Sequence, residues 1–137
     1  MNLRELDNNN HSVFSLKYHL IMCTKYRRNV IDDDTSDRLK NIFEYIGANH
    51  YIELIEWNHD CNHVHILFKA QPRCCLTKFI NAYKSASSRL IKKEYPHVRK
   101  QLFKEMFWSQ SFCLLTVGET SENIIKQYIQ TQGEKHE

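Results

Sequence analysis

Asn62-His63-Val64-His65-Ile66-Leu67-Phe68 sets two histidines one residue apart in a run of bulky apolar side chains. A period of two reads as a strand, whose side chains alternate between faces. His63, His65 and Leu67 then point one way, while Val64, Ile66 and Phe68 point the other way into a core. Two imidazoles on one face of a rigid strand have the donor type and spacing to hold one divalent ion. The run before it, Tyr51 to Trp57, is also strand-like, and Asn58-His59-Asp60-Cys61-Asn62 between the two reads as a turn. The two strands therefore form an antiparallel hairpin.

Upstream, Phe14, Leu16, Tyr18, Leu20 and Met22 alternate with Ser15, Lys17, His19 and Ile21, which predicts a long first strand over 12–26 with a polar outer face. His19 on that face is read as a surface or supporting residue rather than a ligand. Asp32-Asp33-Asp34-Thr35 supplies cap chemistry and negative charge for a helix start. Leu39, Ile42, Phe43 and Ile46 follow at helical spacing, and Gly47 is expected to end the helix in the left-handed region. Leu76, Phe79, Ile80, Tyr83, Ser87, Leu90 and Ile91 mark a second long helix, stopped before Pro96. A short helical connector is expected over 97–106, then a fourth strand from Phe112 to Val117, broken by Gly118. Thr120 or Ser121 would cap a last helix carrying Ile124, Ile125, Tyr128, Ile129 and Gln132.

The order strand, helix, strand, strand, helix, strand predicts an α+β, ferredoxin-like βαββαβ sheet with both helices on one face. The histidine pair would lie on the other, open face. We expect one domain over 1–137, with a loose arm at 1–11 and the added helix at 119–132.

Composition narrows the class. Three glycines and two prolines in 137 residues leave little room for flexible linkers. No apolar run approaches the roughly 20 residues of a membrane span, and the N-terminus lacks a signal-peptide core. Five cysteines without regular spacing argue against a disulfide framework, so a cytoplasmic location is expected. Cys61, two residues before His63, is read as a small apolar residue at the strand's entry rather than a zinc ligand. Net charge is only +3, yet the cations are segregated. Lys25, Arg27 and Arg28 form one cluster, and Lys78, Lys84, Arg89, Lys92, Lys93, Arg99, Lys100 and Lys104 dominate the second half, as a polyanion ligand requires. A solvated helix face explains the second cluster equally well.

Tyr128 and Gln132 are four residues apart, on one face of the last helix. A phenol ionises near pH 10 and is a poor nucleophile alone. It becomes useful when a metal ion stabilises charge on the group it attacks, and a phosphodiester is a natural target. Gln132 is a candidate third ligand beside His63 and His65. All three are neutral, which leaves the ion its full charge. The plainer alternative stays open: exposed histidines, a tyrosine that only packs, and a sheet that binds an RNA or DNA hairpin without cutting it. Binding modules of this topology carry aromatic residues on the central strands, where this chain carries histidines.

Several ordered motifs bear on the choice. Lys17-Tyr18-His19-Leu20-Ile21-Met22-Cys23-Thr24-Lys25-Tyr26-Arg27-Arg28, His63-Val64-His65-Ile66-Leu67, Trp108-Ser109-Gln110-Ser111-Phe112-Cys113 and Gln127-Tyr128-Ile129-Gln130-Thr131-Gln132 together resemble the single-tyrosine HUH transposases of small insertion sequences that move as single-stranded DNA. The resemblance runs from about residue 12 onward. It implies Tyr128 as catalytic nucleophile and His63, His65 and Gln132 as ligands of magnesium or manganese. It also implies a homodimer whose active sites are shared between subunits, hairpin recognition near element ends, and a 5′-phosphotyrosine intermediate. Gly118 is a plausible hinge for the last helix. Thr24 stands where relatives often have proline, and Asn62 where an acid often precedes the first histidine, which makes the support of the metal site the point to check. For the DNA strand, charge and position single out Tyr26, Arg27, Arg28, Lys84 and Arg89.

Overall fold

A computed structural model describes residues 7–8, 13–117 and 122–134. The strands are β1 (Asp7–Asn8), β2 (Val13–Phe14), β3 (Lys17–Cys23), β4 (Ile52–Asp60), β5 (His63–Ala70) and β6 (Cys113–Thr116). The helices are α1 (Asp33–Ala48), α2 (Leu76–Glu94), α3 (Pro96–Arg99) and α4 (Glu122–Glu134). Short 3-10 turns cover Lys25–Arg27 and Phe103–Glu105.

The main sheet has the order β4-β5-β3-β6, all neighbours antiparallel. This is the ferredoxin-like arrangement expected from the element order. The histidine strand β5 is therefore central, flanked by its hairpin partner and by the first long strand. Burial alternates along His63–Ala70 without a break, as a strand with one core face demands.

The core lies between this face and the α1–α2 layer. Leu20, Met22, Val64, Ile66 and Phe68 from the sheet meet Leu39, Phe43, Phe79, Ile80 and Tyr83 from the helices. The Phe43 ring touches Trp57, Phe68, Phe79 and Tyr83. Tyr83, fully buried, donates from its hydroxyl to the Leu39 carbonyl at 3.0 Å. Burial pushes its phenol well above the usual range, so it stays protonated.

Some boundaries differ from the sequence expectation. The first strand is interrupted after Phe14 and stops at Cys23, because Thr24 turns the chain. The Thr24 N–H donates to the Asn62 carbonyl at 3.0 Å, and its hydroxyl reaches the Arg28 and Asn62 carbonyls. The β4–β5 turn shrinks to Cys61-Asn62, since β4 runs on to Asp60, with a bulge between Leu54 and Glu56. Cys61 is exposed at this turn rather than a small apolar strand entry, and its thiol meets Asn29 Oδ1 at 3.1 Å. Gly47 is helical rather than a left-handed terminator. A Cβ there would sit 3.2 Å from Ile52 Cβ, so the glycine serves the close approach of α1 to β4.

The histidine face is not wholly open. Ile21 and Cys23 lie on it and are buried, and α4 packs against β3 and the turn that follows it. Of the expected arm, Asp7–Asn8 pairs with Val13–Phe14; its other residues, like Gly118, Thr120 and Ser121, lie outside the described residues. No helix among the described residues is long and apolar enough to cross a membrane.

Candidate active site and nucleic-acid interface

The alternation of β5 puts His63 and His65 on the same side, both half-buried. In register they pair with Cys23 and Ile21 of β3 and with Asp60 and Asn58 of β4. Asn62 Oδ1 lies 3.0 Å from His63 Nδ1. An amide oxygen only accepts, so the proton sits on Nδ1 and the Nε2 lone pair is left for an ion. The amide thus orients the ring. Asn62 is itself buried, its carbonyl held by Thr24.

His65 Nε2 lies 2.9 Å from His19 Nδ1, with ring centroids 5.0 Å apart. His19 is thus a partner of the histidine pair, as its place on the same face of the neighbouring strand allows. With Nε2 engaged by His19, His65 would have Nδ1 left to offer an ion.

Burial pushes His63 below the usual imidazole range; Arg27 and His59 push it further, against the pull of Asp60. Burial also depresses His65, helped by His19 and His63 and opposed by Glu56. Both rings are therefore neutral at pH 7, the form that ligates a metal. Among the described residues no set of three His, Cys, Asp or Glu side chains could hold an ion. Gln132 is on α4, but its side chain lies outside the described residues. Two neutral imidazoles, one with a tautomer fixed by Asn62, suit a divalent cation.

Tyr128 is also on α4, half-buried. Its hydroxyl lies 3.3 Å from Ser111 Oγ. Ser111 precedes Cys113, whose register partner Ile21 faces His65 across the sheet. The phenol thus lies against the segment leading into β6, the strand on the far side of β3 from the histidines.

The five DNA candidates separate. Tyr26, Arg27 and Arg28 line one cleft of about 830 Å³, together with residues 100–104. Arg89 is exposed on α2, beside Lys92, Lys93 and Arg99. Lys84 is engaged elsewhere: its ammonium donates to the Ser109 and Gln110 carbonyls, both at 2.9 Å, and holds the approach to β6. Lys100, Phe103 and Lys104, not selected from the sequence as DNA contacts, complete the first cleft. In the sequence Lys100 and Lys104 read only as part of the second basic cluster, and Phe103 carries no signal beyond lying between cations in a connector.

Comparison with known proteins agrees with this architecture. The IS200-like transposase family model matches residues 12–132. The ISDra2 transposase TnpA of Deinococcus radiodurans is 37% identical over 123 residues, covering 90% of this chain and 88% of that protein. The transposase for insertion sequence element IS200 of Salmonella typhimurium is 22% identical over 125 residues, covering 91% and 82%. A crystal structure from Deinococcus radiodurans R1 superposes with a TM-score of 0.83 at 35% identity, covering 92% of this chain and 97% of that one. The REP-associated tyrosine transposase bound to a REP hairpin shares the fold at TM-score 0.59 and 10% identity, covering 96% and 75%. With a family match across nearly its whole length, this chain belongs to the IS200-like transposases.

Proposed function

We propose that this transposase cuts and rejoins single-stranded DNA through a covalent 5′-phosphotyrosine on Tyr128, next to hairpins near the ends of its element. The observation that carries the reading is the pair of neutral imidazoles on one face of β5, with His63 fixed by Asn62. His63, His65 and Gln132 would hold magnesium or manganese, which supplies Lewis-acid stabilisation of charge on the scissile phosphate. The Tyr128 oxygen attacks phosphorus and loses its proton to solvent. The bond to the 3′-oxygen breaks, and that oxygen leaves as a hydroxyl. The ester to tyrosine conserves the linkage energy, so a later 3′-hydroxyl reverses the step without a nucleotide cofactor. The basic residues beside the site neutralise phosphates and position the strand.

The proposal extends to a homodimer in which the tyrosine helix of each copy completes the histidine site of the other. Shared sites would give α4 a partner surface besides its own β3.

Covalent trapping tests the chemistry. Wild-type protein, given single-stranded oligonucleotides from the DNA flanking its gene with magnesium or manganese, should form a protein–DNA adduct, and Tyr128→Phe should form none. Equal adduct in that variant removes Tyr128 as nucleophile. Hairpin binding indifferent to chelator, with no cut in any divalent ion, would establish a binding module instead.

A further inference from the structure

The cleft beside the histidines has features that phosphate attraction alone does not require. One wall is the turn Lys25–Arg27 with Arg28, and the other is the loop running from Lys100 to Lys104. Its lining holds Arg27, Arg28, Lys100 and Lys104 and, among the described residues, no carboxylate. Phe103 is 41% exposed, and its ring meets Tyr26 edge-on at 5.4 Å and 77°. Lys104 lies over the outer ring at 5.3 Å, and Lys25 over Tyr26 at 5.3 Å. Arg27 Nε is buried without a hydrogen-bond partner among the described residues.

The walls are pre-set. Lys25 N–H donates to the Phe107 carbonyl at 2.9 Å, and Thr24 bridges Trp108. Of the five non-glycine residues at positive φ among the described residues, three sit in these two walls, Tyr26, Arg27 and Lys104, and a fourth, Glu105, directly follows the second wall. Such backbone is unfavourable for side chains with a Cβ and persists only where surroundings impose it. Here the Arg99 guanidinium grips the Glu105 carboxylate at 2.5 Å, and Lys92 holds the Glu105 carbonyl at 3.0 Å. Strain held on both sides of one cavity marks a site kept in shape for a ligand.

We propose that this cleft binds one unpaired nucleotide of the substrate strand, its base stacked on Phe103 beside Tyr26 and its phosphates on Arg27, Arg28, Lys100 and Lys104. A volume of about 830 Å³ lies in the range of small-ligand pockets. Aromatic faces accept any base, and cations track the backbone. The turn that carries Arg27 follows Cys23, the register partner of His63, and is tied to Asn62 through Thr24 at 3.0 Å, so the strand leaving the cleft runs to the histidine pair. The nucleotide held is therefore one flanking the phosphate to be cut, a position that rests on the transposase reading above.

The test uses hairpin oligonucleotides from the DNA flanking the gene, blunt or with their single-stranded extension, each extension nucleotide replaced in turn by an abasic site. Phe103→Ala should bind the extended strand about 5- to 100-fold more weakly and leave the blunt hairpin unchanged. One abasic position should cost the wild-type protein the same factor and cost Phe103→Ala nothing further. Lys100→Ala should reduce the salt slope of extended-strand binding by about 0.7. Equal weakening on blunt hairpins, or an abasic scan in which no position matters, overturns the cleft. Covalent trapping of the same strands by wild-type protein separates the two readings. Trapping with a flat abasic scan sinks the nucleotide site alone, and no trapping beside an abasic-sensitive position sinks the chemistry alone.

Discussion

Removing the Asn62 amide should weaken divalent-ion binding without unfolding the protein. Asn62 Oδ1 accepts from His63 Nδ1 at 3.0 Å, while its main chain is held separately by the Thr24 N–H at 3.0 Å. Asn62→Ala therefore deletes the acceptor and leaves the turn in place. The freed ring loses both its fixed tautomer and its fixed orientation. Loss of such an outer hydrogen bond costs a ligating histidine about 10- to 100-fold in metal affinity, or about 1.4–2.8 kcal/mol. Manganese titration by calorimetry, with thermal melting as a fold control, reads this directly. Asn62→Asp keeps the acceptor and adds charge, so it should bind at least as tightly as wild type. The two variants should also part in pH. His63 is held below the usual imidazole range, so metal binding should be flat near neutrality and fall only below about pH 6.5. The aspartate raises the ring's proton affinity and moves that fall upward. Asn62→Ala binding manganese within twofold of wild type, at unchanged melting temperature, would refute the role given to the amide.

Phe43→Ala removes the ring on which Trp57, Phe68, Phe79 and Tyr83 converge; it should cost about 3–5 kcal/mol by urea unfolding, and a loss under about 1 kcal/mol contradicts the core described. Asp32 caps α1 by accepting from Thr35 N–H at 2.9 Å, and that bond holds its carboxyl below the usual range. Asp32→Ala should cost about 1 kcal/mol near neutral pH. Because the folded value is the lower one, the difference persists above about pH 4 and should vanish as pH falls through it. Lys84→Met should speed hydrogen exchange around residues 109–112, because the ammonium ties down two carbonyls there. The same variant should leave the salt slope of DNA binding unchanged, and a drop of about 0.7 per lost phosphate contact would restore Lys84 to the interface.

Local periodicity carried most of the fold. The alternation of His63 to Ala70 fixes which side chains enter the core, and the spacing of Leu39, Ile42 and Phe43 fixes the inner face of α1. Element order then determined the sheet. Features set by distant partners were not legible. Nothing in Lys25-Tyr26-Arg27-Arg28 signals left-handed backbone, since the turn lacks glycine and asparagine and is imposed by bonds to Asn62 and Phe107. Gly47 read as a terminator because its chemistry permits one, whereas its neighbour Ile52 decides its use. The second basic cluster read as one surface, yet Lys84, Lys92 and Arg99 hold loop carbonyls and Glu105. His19 paired with His65 only once the β3–β5 register was known.

Two of those misses, His19 and the turn after Cys23, share a location, and it explains how the site is built. β3 and the residues after it touch every part of the candidate chemistry in turn. His19 meets His65, Thr24 holds the turn that carries Asn62, and Lys25 ties the strand's exit to the segment before β6. Tyr26 and Arg27 then form one wall of the cleft, and α4 packs against the same strand and turn. A divalent ion at the histidines, a base in the cleft and a partner on α4 would all act on one short span of backbone. That span contains two residues at positive φ, so it has other conformations within reach if its tethers give way. Occupancy of the three places is coupled only to the extent that their ligands prefer different positions of this span. Tethers as short as those from Thr24 and Lys25 favour a fixed span, and hence sites that are close together yet bind independently.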